Sequence, residues 1–261
     1  MRGGVRALER FRPAVARWQS WAAMLLLAVM FAQLLGAATQ LSATVDEGFH
    51  ITSGYEYLRT GKLRLFDEHT PLVKALFAWP LFFVRDLPPP EAAPGWLDGD
   101  LIQVAQATVL AYRPLDRVIL PPRIVVALLT LLLGATVFRW ASRLFGATAG
   151  LFAVALFAFD PNILAHGSLA TTDMGAVLFM FWAAWLFAHY VRVRGLEGGM
   201  RWRALGAAGL ALGLAQGAKL TALSLIPVLG TVVLIDAWRA AGRHGRGMVF
   251  RRLLEFAGLV A

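Results

Sequence analysis

Long apolar runs recur along this chain and limit the folds that it can adopt. The first, residues 21–41, has about the 20 residues that an α-helix needs to cross a bilayer. The later runs are residues 124–138, 144–159, 174–191, 204–218 and 220–237, with another beginning at 253. Because helices satisfy all their backbone polar groups inside lipid, the runs predict an all-α, polytopic integral membrane protein with six to seven transmembrane helices.

The composition agrees with this class. The chain of 261 residues is 58% hydrophobic and 16% charged, whereas soluble domains carry about 25% charged residues. It contains no cysteine, which excludes disulfides and thiolate metal sites. The net charge of +9 comes from basic clusters between apolar runs, a pattern typical of topology signals. We therefore expect membrane lipid around the protein and no nucleic-acid partner.

The charges also predict an orientation. The leader before residue 21 is strongly basic, and the first run is long enough to remain as an uncleaved helix. Residues 42–122 hold ten acidic and seven basic side chains, the opposite of a cytoplasmic loop. We expect a cytoplasmic N-terminus, with residues 42–122 and 160–173 as external loops. Because the run from 253 stops at 261, residues 1–261 are interpreted as the N-terminal transmembrane part of a longer protein.

Two shorter patterns lie within this framework. Residues 71–84 are apolar but too few for a comfortable span, which favours a helix lying along the membrane surface. Four glycines recur at three- or four-residue spacing in the fifth run: Gly206, Gly209, Gly213 and Gly217. Such a smooth strip favours close helix packing, with a substrate groove as the alternative.

Acidic residues stand where two predicted helices meet the external loops. Asp46 and Glu47 follow the first run, and Asp173 precedes the fourth. Ionisable groups at a bilayer boundary are costly and usually functional. If both helix ends open onto one cavity, these carboxylates could supply a general base. The structural alternatives are solvated loop acids for Asp46 and Glu47, and a helix N-cap for Asp173.

Basic and imidazole side chains on the same side are secondary candidates. His69 and Lys74 could bind a phosphate, or they could be a solvated loop residue and a snorkelling lysine. Asp160 begins a predicted turn, which could contribute to the site or have only a structural role. The remaining candidates are His50, His166 and Lys219. No spacing among the acids and histidines resembles a metal motif, so we assign no metal ligand and leave a divalent metal as the one cofactor still open.

Three motifs in this order resemble glycosyltransferase family 39. They are Asp46-Glu47, the element His69-x-Pro71-Leu72-x-Lys74, and the stretch from Asp160-Pro161-Asn162 through His166 to Thr171-Thr172-Asp173. Thr70 stands where the family commonly has proline. This family comprises membrane-embedded GT-C enzymes, including protein O-mannosyltransferases and bacterial lipid A aminoarabinose transferases. They transfer a sugar from a polyprenyl-phosphate carrier to an acceptor on the external face.

The resemblance implies a role for each matching residue. Asp46 would be the catalytic base that activates the acceptor, with Glu47 shaping the site and Asp173 orienting the acceptor. His69 and Lys74 would lie near the carrier phosphate. The implied partners are a polyprenyl-phosphate-linked sugar and a protein, lipid or glycan acceptor. The implied location is a bacterial-type inner (plasma) membrane, with the active site on the periplasmic or external face.

Two other function classes remain open. A transporter or lipid flippase would also be polytopic and basic on the cytoplasmic side, although such proteins tend to hold ionisable groups near the middle of the membrane in paired repeats. A non-catalytic fragment or assembly subunit is the third interpretation. No glycine-rich nucleotide-binding loop is seen, which is consistent with a lipid-linked donor.

Overall fold

A computed structural model describes residues 2–66, 70–193, 199–244 and 246–260. All regular structure in this part of the chain is helical, so the protein is an all-α, polytopic membrane protein. The α-helices are α1 (Arg2–Gln40), α2 (Val45–Thr60), α3 (Pro71–Ala78), α4 (Leu101–Ala107), α5 (Asp116–Phe145), α6 (Ala147–Ala158), α7 (Pro161–Gly167), α8 (Asp173–Val193), α9 (Gly199–Ala218), α10 (Leu225–His244) and α11 (Arg246–Val260).

The number of candidate spans is lower than the six to seven expected. Four stretches of the described residues are long and apolar enough to cross a membrane: Arg17–Gln40, Asp116–Phe145, Asp173–Val193 and Leu220–Trp238. The count becomes five if α6 and α7, which meet at a bend of 62°, form one broken span. The expected span at 204–218 does form a helix, α9, but glycines and the arginines near its start lower its hydropathy.

The expected surface helix at 71–84 is part of the protein core on one side. It consists of α3 followed by a 3-10 turn, Trp79–Phe83, and it packs against α2, α5 and α9. Val73 and Phe77 are fully buried, whereas Phe83 is 73% exposed. The helix therefore anchors the first loop to the transmembrane bundle through one apolar face and leaves aromatic side chains on the other.

Close contact between α2 and α3 depends on one glycine. A Cβ atom at Gly54 would lie 2.3 Å from the carbonyl oxygen of Lys74 and 2.9 Å from the Cβ atom of Ala78. Any side chain at this position would push the two helices apart. This contact fixes the first loop as a compact layer over one end of the bundle, which we call the loop side of the protein.

Close helix packing was expected along the glycine strip of α9, but only two of its four glycines have close neighbours. Gly209 and Gly217 have neighbours at 3.5 and 3.6 Å, namely Leu259 and Leu72. A Cβ atom at Gly206 or Gly213 would have nothing within 4 Å. Open and packed glycines therefore alternate along the strip, and the open ones border the space between α9, α10 and α11.

Candidate active site

Glu47 lies at the centre of a buried hydrogen-bond network on the loop side. Thr44 caps α2, and Thr44 and Glu47 form a capping box in which each side chain accepts from the other residue's backbone N–H. The carboxylate also accepts two bonds from Arg123, both 2.7 Å long, in a bidentate pair. Glu47 and Arg123 are 0% and 2% exposed.

Arg123 joins three parts of the chain. Besides binding Glu47 on α2, its guanidinium donates to the carbonyl oxygens of Ala38, Leu41 and Ser42 at 2.7 to 2.9 Å. These carbonyls belong to the end of α1 and the residues just after it, where helical partners are missing. Arg123 itself lies on α5. One side chain thus fastens the end of α1 and the start of α2 to α5.

The environment of Glu47 keeps it ionised. Burial by itself raises the pKa of this carboxyl, but the hydrogen bonds from Arg123, Ala170 and Thr44 outweigh it and hold the pKa below its ordinary value. A carboxylate with all these partners is poorly available to take a proton from a substrate. Its geometry is that of a residue that positions the two loops.

The adjacent residue, Asp46, has the opposite environment. It lies in the first turn of α2, is exposed, and makes no hydrogen bond or ion pair with the described residues. Asp46 and Glu47 are neighbours in sequence, yet the helix turns one carboxylate into the protein and the other outward. The two members of the pair can therefore carry different roles.

The second loop reaches this site through its backbone. The N–H of Ala170 donates to Glu47 at 2.8 Å, and Asp173 begins α8 three residues later. Asp173 does not cap α8 as the structural alternative proposed. Its carboxylate instead accepts a 2.6 Å bond from Lys219 and a 3.3 Å bond from Thr171.

Asp173, Lys219 and His166 form a second cluster. The Nδ1 atom of His166 lies 3.5 Å from a carboxylate oxygen of Asp173. The side chains of Asp173, Lys219 and His166 are 37%, 29% and 55% exposed, so a polar ligand can reach all three. Asp160, in contrast, caps the short helix α7 by accepting from the backbone N–H groups of residues 162 and 163.

Lys74 and His50 lie deeper, between α2 and α3. The ammonium of Lys74 is fully buried, donates to Ser53 and to the carbonyl of Phe66 at 3.0 and 2.8 Å, and faces the Phe66 ring. His50 is 7% exposed and its ring lies 5.4 Å from that of Phe66. His69 lies outside the described residues. Phosphate binding by Lys74 and His69 stays a prediction, and for Lys74 it would require a change of partners.

A metal site would need several ligands in one place. Among the described residues, no group of three or more histidine, aspartate or glutamate side chains is arranged to hold an ion. One pair of potential ligands, Asp173 and His166, also contacts the ammonium of Lys219, which competes with a cation for the carboxylate.

An apolar cavity of about 970 Å³ lies along α9. It is lined by the glycine strip of α9, by residues of α10 and α11, and by Thr70. Lys219 lies between two lining residues, Gly217 and Leu220. The amide nitrogen and oxygen of Gln216, which also lines the cavity, are buried with no hydrogen-bond partner in the described part of the chain.

Sequence reasoning missed Arg123, the most connected of these residues. The signal was present, because Arg123 is a cation immediately before an apolar run, on the side where cations are disfavoured. The capping box Thr44-x-x-Glu47 was also legible and would have indicated a structural role for Glu47. The partner of Asp173 could not be read from sequence, because Lys219 is 46 positions away.

Comparison with known proteins identifies the family of this chain. Residues 115–249, just over half of the chain, match the family described as dolichyl-phosphate-mannose-protein mannosyltransferase. No curated protein matches the chain. The matched region includes Arg123, the second loop and Lys219. With its membrane-spanning helices and this match, the chain belongs to the dolichyl-phosphate-mannose-protein mannosyltransferase family and is a membrane glycosyltransferase of the mannosyltransferase type.

Proposed function

We propose that this enzyme transfers a sugar from a polyprenyl-phosphate carrier to an acceptor on the external face of the membrane, with inversion at the anomeric carbon. Asp46 is the base that takes the proton of the acceptor. The single observation that carries this proposal is the contrast within the acidic pair: Glu47 is buried and fully bonded, whereas Asp46 is exposed and unengaged by the described residues.

Direct displacement needs charge stabilisation opposite the base. The departing phosphate gains negative charge as the sugar–oxygen bond breaks, and a nearby cation stabilises that charge. Lys219 is the accessible ammonium of the second cluster, and Asp173 holds it at 2.6 Å. Lys219 supplies the positive charge in this scheme, and Asp173 positions it and contacts the acceptor. The hydrogen bond from Ala170 to Glu47 supports a fixed relation between the loops that carry the two groups.

The cavity along α9 supports a lipid-linked donor. Its size of about 970 Å³ is at the upper end for ligand sites, and its lining is mostly glycine and leucine. A polyprenyl chain is apolar, while its phosphate is anionic. The cavity offers an apolar surface for such a chain, and Lys219, next to the lining residue Leu220 in the sequence, supplies a cation for the phosphate.

A flippase would also bind a polyprenyl phosphate. The buried Glu47–Arg123 pair argues for the enzyme, because it immobilises the loop side around Asp46. A transport path would instead require this region to open in each cycle. The charge bias of the loops supports a cytoplasmic N-terminus and a site that faces the periplasm or the exterior.

Sugar transfer in membranes tests the proposal. The protein at its natural length is expressed, a radiolabelled polyprenyl-phosphate sugar is supplied, and label in the acceptor fraction is measured. Asp46→Asn keeps the size of the side chain and removes the base, so we expect transfer to fall about 10²- to 10⁴-fold. The matched control is Asp98→Asn, a second exposed acid of the same loop, which should transfer normally.

A second variant tests whether the lipid-linked donor binds in the cavity along α9. Gly213→Leu places a side chain into the open part of the cavity, where a Cβ atom has no neighbour within 4 Å. We expect a higher KM for the lipid donor, with little change in folding. Equal transfer by wild type and Asp46→Asn would refute the catalytic assignment, whereas an unchanged donor KM in Gly213→Leu would refute only the path of the lipid chain.

A further inference from the structure

A second cavity lies away from the residues proposed for catalysis. It has a volume of about 510 Å³ and lies between the end of the 3-10 turn Trp79–Phe83 and the first turns of α5. Its lining is apolar at the bottom, with Val84, Leu120 and Ile124 among the contributors. The hydroxyl of Tyr112 donates to the carbonyl oxygen of Arg85 at 2.7 Å, which fixes the rim of the cavity.

Two arginines are among the residues that line this cavity. Arg85 and Arg117 both line the cavity and are exposed, and neither side chain forms an ion pair or donates a hydrogen bond to the described residues. Asp116 also contributes to the lining, and Asp86 follows Arg85 in the chain. Within the lining itself the two cations outnumber the single carboxylate. The rim is therefore complementary to a singly charged anion.

The cavity continues into an apolar face of a spanning helix. Leu120 and Ile124 lie in the cavity, and Leu128 and Leu132 follow at the same four-residue spacing along α5, where they are 51% and 42% exposed. Residues four apart share one face of a helix. An exposed apolar stripe thus runs from the cationic rim down α5 toward the middle of the span Asp116–Phe145.

Aromatic side chains mark the level of the membrane surface at the same place. Trp79, Phe82 and Phe83 are 50%, 51% and 73% exposed on the 3-10 turn beside the cavity. Aromatic residues are enriched where a protein crosses the lipid–water boundary. The exposed Trp79 beside the cavity supports a head-group level for the two arginines and an acyl-chain level for the stripe.

We propose that this cavity is a binding site for an anionic phospholipid of the leaflet on the loop side. The phosphodiester lies between Arg85 and Arg117, and one acyl chain follows Leu120, Ile124, Leu128 and Leu132. Guanidinium groups bind phosphate oxygens with charge-assisted hydrogen bonds, and the continuous apolar stripe selects a lipid over a soluble anion. The site is independent of the sugar donor, because none of its residues lines the cavity along α9.

Lipid titration followed by native mass spectrometry tests this site. The full chain in detergent is titrated separately with phosphatidylglycerol, phosphatidylcholine and glycerol phosphate. We expect phosphatidylglycerol to bind about 10- to 30-fold more tightly than phosphatidylcholine, because each interfacial cation strengthens binding of anionic lipid about fivefold. Arg85→Gln/Arg117→Gln should abolish this preference, and Arg117→Gln alone should reduce it about fivefold.

Controls separate this site from general charge effects. Arg59→Gln/Lys62→Gln removes two cations from the same loop that do not line the cavity, so it should keep the preference. Leu120→Trp fills the cavity and leaves both guanidiniums in place, so it should weaken phosphatidylglycerol binding. The proposal is overturned if both double variants lose the preference equally, if Leu120→Trp binds as wild type does, or if glycerol phosphate binds as tightly as the lipid.

Discussion

The two charge pairs on the loop side differ in burial and therefore in what they can do. Glu47 and Arg123 are almost fully buried, are joined by two 2.7 Å bonds, and have further partners on α1 and in the second loop. Asp173 and Lys219 are about a third exposed and have few other partners. A buried pair is held by the fold around it, whereas a half-exposed pair can exchange one partner for a substrate.

The largest effect on stability is expected at Arg123, in the buried pair. Arg123→Gln leaves a buried carboxylate without its cation and three carbonyl groups without their donor. We expect a loss of about 3–5 kcal/mol in the free energy of unfolding, because an uncompensated buried charge is strongly destabilising. Thermal unfolding in detergent measures this loss. Arg139→Gln, an exposed arginine on the same helix, is the control and should unfold as wild type does.

Arg123→Lys separates the effect of charge from that of hydrogen-bond geometry. A single ammonium cannot reproduce the bidentate fork and the three carbonyl contacts, so lysine should recover only part of the stability. Full recovery would mean that charge alone matters at this position and that the hydrogen-bond geometry contributes little.

Double-mutant cycles compare the two pairs directly. One cycle uses Glu47→Gln and Arg123→Met, and the other uses Asp173→Asn and Lys219→Met. We expect a coupling energy of about 2–3 kcal/mol for the buried pair and about 0.2–1 kcal/mol for the half-exposed pair. Unfolding free energies of the single and double variants give both values. Similar values for the two cycles would remove the distinction drawn between them.

Acid should act on the buried pair through Glu47. Its pKa in the folded protein is held below the ordinary value of 4.5, despite the opposing effect of burial. The resulting stability is fully present above the unfolded pKa and is lost as the pH falls through the folded pKa. The Tm difference between wild type and Glu47→Gln, measured from pH 7 to pH 3, should therefore shrink below about pH 4.5. A difference that is constant or grows in acid would contradict the assignment.

The smallest effect is expected at His166. Its side chain is 55% exposed and stands 3.5 Å from Asp173, so His166→Gln should change the free energy of unfolding by less than about 0.5 kcal/mol. The second cluster would then be stable without its imidazole, as expected of a site that is open to ligands. A loss comparable to that of Arg123→Gln would show that both clusters are structural.

Much of the fold was readable from local sequence. The apolar runs at 21–41, 124–138 and 174–191 predicted helices that the structure contains, because length and hydropathy alone decide whether a segment suits the bilayer. The four to five candidate spans among the described residues are fewer than the six to seven predicted. Glycines and arginines in α9 lower its hydropathy, and α6 is joined to α7 by a sharp bend instead of continuing straight.

The site was less readable. The sequence indicated Asp46, Glu47 and Asp173 as acids at helix ends. Adjacency in the sequence, however, suggested that the first two act together in one site. Helix geometry separates them, since Thr44 caps α2 and draws Glu47 inward. Lys74 does not snorkel to the surface but is buried against Ser53 and Phe66, and its binding to a carrier phosphate stays a prediction.

Hydropathy and charge act through each residue's own chemistry, so they were enough to predict an all-α membrane protein with acids at its loop-side helix ends. Which of those acids have partners depends on tertiary contacts. The partners of Glu47 on α5 and in the second loop lie 76 and 123 positions away, and the partner of Asp173 lies 46 away. Contacts at such separations depend on how the helices pack against one another, and no local pattern encodes them.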